Sequence, residues 1–331
     1  MHRAPAPGRI SFAMVCMPYL ELAGGFILLL AGGELLVRGA CASAARLGVP
    51  PLMVGITLVG FGTSTPELVT SLEAAFLGSP GIAIGNVVGS NIANILLILG
   101  LAGMIAPVRV TRDTMRRDGL MALLAALACV LAVLLGHVGS LLGGVFVALL
   151  LLYIAWSYLQ ERRRFAAQIA DAGIEEALPA WPRHLGLALA LTVVAIGLTI
   201  LGAHWLVEGA IVMASDLGVS DAVIGLTVVA VGTSLPELAT SVIAALRRQP
   251  EIALGNVLGS NIYNVLGILG VTALVHPLDV PAAIADRDVW VMLGATLALL
   301  AVGWWFRSIA RAVGATFLAA YVVYNAVLFG V

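Results

Sequence analysis

Residues 55–100 and 225–270 of this chain align at a constant offset of 170 without a gap, and 28 of the 46 pairs are identical. The cores read GFGTSTPELVTS (60–71) against AVGTSLPELATS (230–241), then GNVVGSNIAN (85–94) against GNVLGSNIYN (255–264). A weaker match upstream sets GGELLVRGA (32–40) against GAHWLVEGA (202–210). What one copy folds into, the other must fold into as well, so the chain consists of two related halves. How those halves are arranged depends on the medium around them.

That medium is lipid. Of 331 residues, 61% are hydrophobic and 11% charged, against about 45–50% and about 25% in a soluble domain. A helix crosses the hydrocarbon with about 20 apolar residues. Ten such runs are legible, at roughly 18–44, 50–77, 82–105, 118–136, 140–160, 184–211, 220–246, 252–275, 288–306 and 311–330. The expected fold is therefore an all-α polytopic membrane protein of ten transmembrane helices. Residues 1–15 form an N-terminal tail, since the apolar run continues past Ala31 without a cleavage site. Residues 16–160 form the first five-helix repeat and 184–331 the second. The polar stretch 161–183 between them is a cytoplasmic linker. Such a composition excludes a coiled coil, a disordered chain and a nucleic-acid-binding surface, and a net charge of −1 supplies no electrostatic partner. Cys16, Cys41 and Cys129 are far apart in apolar stretches, without metal-ligand spacing.

Orientation follows from the arginines. With the N-terminus outside, 14 of the 17 fall on or near the cytoplasmic side; only Arg3, Arg9 and Arg287 fall outside. Positive charge is retained on that side of short loops, so both termini are expected outside. Five is an odd number, so the second half enters the membrane upside down relative to the first. Inverted repeats with interrupted helices are an architecture of secondary transporters, with the substrate site near the midplane.

The chemistry sits in the repeated motifs. Gly62 and Pro66, like Gly232 and Pro236, should break a membrane helix, because proline removes a donor and clashes with the preceding turn. Proline fits the first turn of a new helix, with Ser or Thr capping before it. The expected result is two half-helices joined by unwound backbone near 60–65 and again near 230–235. Glu67 and Glu237 then stand on the first turn after each joint, near the middle of an apolar span. A charge there costs roughly 3 kcal/mol on insertion scales. Two carboxylates with hydroxyls and backbone carbonyls make an all-oxygen cage suited to hard cations such as Ca²⁺ and Na⁺; softer metals would call for His or Cys. Ser90 and Asn94, like Ser260 and Asn264, are four apart and present one helix face to that cage. Asn86, Asn91, Asn256 and Asn261 read as caps or hydrogen bonds across the bundle. Glu34, Arg38, His204 and Glu208 read as ion-pairing or interfacial residues, and Glu73 as a vestibule residue.

With both GTSxPE and both GNxxGSNIxN segments in order across the two halves, the chain resembles the calcium/cation antiporter superfamily, which includes the sodium/calcium exchangers. The resemblance implies a transporter and not an enzyme, in the bacterial inner membrane. It needs no cofactor, its partners are inorganic cations and the bilayer, and one chain forms the full site. It implies Glu67 and Glu237 as the main Ca²⁺ ligands, helped by backbone oxygens at Thr63 and Thr233. Na⁺ sites would share those carboxylates with Ser64, Ser234, Ser90 and Ser260 and with carbonyls near Gly60 and Ala230. Asn94 and Asn264 would face the centre. Potassium-dependent relatives carry Asp where this chain has Asn264, which implies Ca²⁺ exchange without K⁺. Na⁺ and H⁺ both remain open as counter-ion, and a cation channel is the rival class.

Overall fold

A computed structural model describes residues 12–46, 64–172, 184–246 and 250–330. These residues are almost entirely helical. Helix α1 runs Phe12–Arg46, α2 Thr65–Phe76, α3 Pro80–Ile105 and α4 Arg112–Leu134. Helix α5 runs Ser140–Ala172 and α6 Leu185–Leu217. A bent pair follows, α7 Asp221–Thr233 and α8 Leu235–Leu246. Helix α9 starts as Pro250–Tyr263 and continues to Val275; α10 is Ile284–Trp305 and α11 Arg311–Phe329. Among the described residues, seven helices are long and apolar enough to cross a membrane, or eight if the bent pair is one span.

Several helices run beyond the expected spans: α4 begins at Arg112 against 118 and α6 ends at Leu217 against 211, and two more run into the expected tail and linker. Helix α1 begins at Phe12, inside the expected tail. Helix α5 continues through Ala172 into the expected linker, where the run QERRRFAAQIADA is rich in Gln, Glu, Arg and Ala, all strong helix formers.

Burial sets the architecture. Helices α3 and α9 have 78% of their spanning residues buried, whereas the other spans have 17–44%. The two copies of the GNxxGSNIxN segment thus form the centre. Helices α1 and α6 pack along their length. Gly25, Gly32 and Gly39, spaced by seven, form the seam; a Cβ at each would lie within about 3 Å of the α6 backbone or its threonines. Small residues at such a spacing let two membrane helices approach backbone to backbone. Helix α3 meets α7 in the same manner, with the Leu226 carbonyl 2.4 Å from a Cβ placed on Gly89.

Short strands tie the halves together. β1 (Val108–Arg109) pairs antiparallel with β4 (Ser308–Ile309), and β2 (His137–Val138) with β3 (Leu278–Asp279). β3 lies 170 residues after β1, and β4 lies 171 after β2, so the two ladders are the same contact made twice.

A second recurring contact lies beyond the 46-residue match. Arg117 donates to Asp118 at 2.8 and 3.0 Å, and the Tyr153 hydroxyl donates to the same carboxylate at 3.0 Å. In the second half Arg287 donates to Asp288 at 2.8 Å and Tyr324 at 3.2 Å. Each acid fastens the start of its helix, α4 or α10, to the next one.

Candidate functional site

The sequence expectation of an unwound joint is corrected in the second half. The break there is the single residue Ser234, with α7 and α8 inclined at 49°. The backbone bonds Ser234 N–H to Ala230 carbonyl (3.1 Å) and Leu238 N–H to Ser234 carbonyl (3.0 Å) persist. Pro236 cannot donate, and with these two bonds kept across the joint the chain bends there at 49°. In the first half Ser64 stands before α2 with the same backbone angles, φ −91° and ψ 11° against φ −84° and ψ 10° at Ser234. Gly60 and Thr63, expected to offer backbone oxygens, lie outside the described residues.

The two breaks face each other and exchange partners. Ser64 donates to Glu237 Oε1 at 2.9 Å, and Ser234 donates to Glu67 Oε1 at 3.0 Å. Each serine thus serves the carboxylate of the opposite half. Both acids are buried, Glu67 at 2% exposure and Glu237 at 0%. Ser90 on α3 lies 3.1 Å from Ser234 Oγ and donates to the Ala230 carbonyl at 3.4 Å. That carbonyl already accepts from Ser234 N–H and lies 3.4 Å from Thr233 Oγ1. Thr233 itself donates to Asn86 Oδ1 and lies within 3.0 Å of the Val229 carbonyl.

Asn86 and Asn256 act as matched braces. Asn86 Nδ2 donates to the Glu67 carbonyl (3.2 Å) and Ser71 Oγ (3.0 Å); Asn256 Nδ2 donates to the Glu237 carbonyl (3.3 Å) and Ser241 Oγ (3.1 Å). They hold the turn on which each acid stands. Asn94 donates to Asn261 Oδ1 at 2.9 Å, and Asn261 to the Asn91 carbonyl at 3.3 Å, joining α3 to α9. Asn86, Asn256 and Asn261 hydrogen-bond between helices, one of the two roles the sequence reading allowed, whereas the Asn91 amide donates to the Val87 carbonyl of its own helix at 2.7 Å.

Several buried polar atoms have no hydrogen-bond partner among the described residues: Glu67 Oε2, Thr70 Oγ1, Asn94 Oδ1 and both amide atoms of Asn264. An unsatisfied buried polar atom costs about 1–3 kcal/mol, more if charged. Oxygen atoms of this kind suit a hard cation. Ser260 stands apart. It is buried but lines a cavity of about 150 Å³ between α5 and α9, with Asn256 and Tyr263.

Sequence reasoning missed the π-helical turns. Five occur among the described residues, and two of them, Asn94–Leu99 and Asn264–Leu269, each begin on the expected inward-facing Asn. A π turn admits one extra residue and often marks functional sites. Its equal place in both halves is visible only once hydrogen bonds are drawn, because apolar flanks carry no periodic trace of it.

The polar residues outside the cage are placed as follows. Glu34 and Arg38 pair within α1 at 2.6 Å. At the matching positions on α6, His204 Nδ1 lies 2.8 Å from Glu73 Oε1 of α2, and Nε2 lies 3.4 Å from Glu208. His137 pairs with Asp279 across β2–β3 at 2.8 Å. Cys129 is buried and free; the side chains of Cys16 and Cys41 are outside the described set.

Known proteins match over nearly the whole chain. The family described as sodium/calcium exchanger protein matches residues 18–159 and 187–330. A putative antiporter, CaxA of Alkalimonas amylolytica, is 37% identical over 92% of this chain and 96% of its own length. The sodium/calcium exchanger MaX1 of Methanosarcina acetivorans is 34% identical over 96% of this chain and 99% of its own. Among solved structures, the sodium-calcium exchanger NCX_Mj soaked with Na⁺ and Sr²⁺ superposes with a TM-score of 0.62 at 33% identity, covering 95% of this chain and 99% of that one.

Proposed function

The chain belongs to the sodium/calcium exchanger family of membrane antiporters, and from that premise we propose that it exchanges Ca²⁺ for Na⁺ by alternating access, without K⁺. The reading rests on the crossed pairs Ser64–Glu237 and Ser234–Glu67. They gather two buried carboxylates and two hydroxyls, one of each from either half, into one oxygen-rich site. Glu67 and Glu237 hold Ca²⁺. Na⁺ ions share these carboxylates with Ser64, Ser234 and Ser90, with backbone oxygens at Gly60, Thr63, Ala230 and Thr233, and with Asn94 and Asn264; Ser260, expected among them, lines the α5–α9 cavity instead.

The charge balance gives the coupling. Ca²⁺ between two carboxylates leaves the site near neutral. Removing the ion leaves two negative charges in a low-dielectric interior, where the desolvation penalty is several kcal/mol per ion. A loaded site can close on both sides and an empty one resists closure. Obligatory exchange follows, because a ligand shifts a two-state equilibrium only through differential affinity.

The proposed frame is ten spans in two inverted halves, residues 16–160 and 184–331. The linker 161–183 is cytoplasmic and both termini are outside, in a bacterial inner membrane, with one chain sufficient for the site. The paired ladders favour this frame: each joins one loop from either half, and the ten-span order puts both loops of each ladder on one side.

A second reading, H⁺/Ca²⁺ antiport on the same scaffold, is favoured by the unpartnered Glu67 Oε2, which a proton could occupy. The deciding experiment is ⁴⁵Ca²⁺ uptake into vesicles under an opposing Na⁺ gradient alone or H⁺ gradient alone. Na⁺-driven uptake is expected. Uptake driven only by H⁺ establishes the second reading, and gradient-independent flux would mean a channel.

A further inference from the structure

Arg307 is the one non-glycine residue with positive φ (51°) among the described residues. The position matching it in the first half, at the 171-residue offset of this region, is Gly136, with φ 73°. The fold therefore needs a left-handed residue just before β2 and again just before β4. Glycine meets that need at one end of the molecule without a Cβ penalty. At the other end the chain places an arginine there, against the steric preference of any L side chain. Non-glycine residues persist in such conformations where function requires them.

The surroundings indicate what the guanidinium serves. Across the β1–β4 ladder, Val110 N–H bonds the Arg307 carbonyl at 2.9 Å. Arg307 lines an open cavity of about 640 Å³ with Arg109, Arg112, Asp113 and the hydroxyl residues Thr111 and Ser308. Three arginines and one acidic residue, Asp113, line it, and none of the three arginines forms a salt bridge among the described residues. The matching loop at the opposite end carries Asp279, Pro281, Ala282 and His137 in place of Arg109, Thr111, Arg112 and Ser308. Its polar contact is the His137–Asp279 pair. The basic cavity is thus not a requirement of the repeat.

Two further features place it against lipid. Trp304, Trp305 and Phe306, immediately before Arg307, are 45%, 76% and 72% exposed, the pattern of aromatic side chains at a membrane–water boundary. One turn beyond Arg112, Arg116 opens a groove of about 470 Å³ between α4 and α5, walled by Leu120, Leu124, Leu149 and Leu152 and ending at Trp156.

We propose that the Arg109–Arg112–Arg307 cavity binds the phosphate of an anionic phospholipid, with an acyl chain lying in the α4–α5 groove. Basic pockets at helix ends recognise such headgroups, and each arginine near the surface strengthens attraction about fivefold. The strained Arg307 backbone is retained for this contact. The inference is independent of which cation drives exchange.

Native mass spectrometry of the full chain in detergent, titrated with phosphatidylglycerol or phosphatidylcholine of the same acyl chains, tests it. Phosphatidylglycerol should be retained selectively, and R109Q, R112Q and R307Q should each reduce its retention about fivefold, whereas R38Q should not. R307G separates binding from folding. It should lose lipid selectivity while its melting midpoint in lipid-free detergent rises above wild type. Wild-type retention by R307G and R112Q would overturn the proposal. So would displacement of the lipid by millimolar inorganic phosphate, which would make the site one for a soluble anion.

Discussion

Glu67 and Glu237 each lean on a serine from the other half, so neither half holds its acid alone. Glu67→Gln or Glu237→Gln keeps the side-chain shape and halves the formal charge of the site. Each single variant should lose essentially all ⁴⁵Ca²⁺ counterflow while running as a folded monodisperse peak in size-exclusion chromatography. Ser234→Ala removes a donor to a charged acceptor, an interaction contributing about 1.5–3 kcal/mol. It should weaken apparent Ca²⁺ affinity about tenfold, measured as the concentration for half-maximal uptake. At Asn264, a proposed ligand, the amide has no partner for either polar atom among the described residues and would bring an oxygen but no charge. Exchange in vesicles with choline replacing K⁺ on both sides and the potential clamped should therefore proceed at the rate seen with K⁺ present. These carboxylates, hydroxyls and amides were legible in the sequence because the repeat prints each of them twice. The crossing of Ser64 to Glu237 was not. It depends on how two breaks face each other in space, which a one-dimensional offset does not encode.

The helices were legible as runs, and their joints less so. Pro236 marks a break in the chemistry of the sequence, yet one bent residue suffices, because neighbouring backbone bonds close around the missing donor. The Arg117–Asp118–Tyr153 contact and its counterpart Arg287–Asp288–Tyr324 were also overlooked. Their signal is present in the sequence, as an Arg-Asp pair repeated at an offset of 170 and a tyrosine at 171. The apolar residues between diverge enough to hide it. This contact also accounts for the lone arginine that the orientation assigns to the outer side of the bundle: Arg287 is there because Asp288, fully buried, has to be paired. Central packing is equally exacting. A Cβ on Gly89 would meet the Leu226 carbonyl at 2.4 Å and the Leu226 Cα at 2.7 Å, backbone that cannot rotate away. Gly89→Val should lower the thermal midpoint of the purified protein by several degrees, since overpacking costs typically 1–3 kcal/mol. Gly186→Val, at a position with open space, should leave it unchanged.

At the scale of the molecule, sidedness is the quantity to measure. Cysteines introduced singly at Ala177 and Ala283 should differ in intact cells. The second should react with an impermeant maleimide and the first only after the membrane is opened. The reverse pattern would invert the frame and leave the site geometry untouched. The ladders β1–β4 and β2–β3 carry a consequence for how the chain is made. Val108 waits for Ile309, and Val138 for Leu278, so neither ladder can close while only the first half has left the ribosome. Until then the first half exposes two unpaired strand edges and a serine–acid pair lacking its complement. Nascent 1–172 should therefore be a protease-sensitive assembly intermediate. Because every missing partner resides in the other half, fragments 1–172 and 173–331 synthesised from separate messages should find each other in the membrane and restore counterflow. Either fragment alone should be degraded.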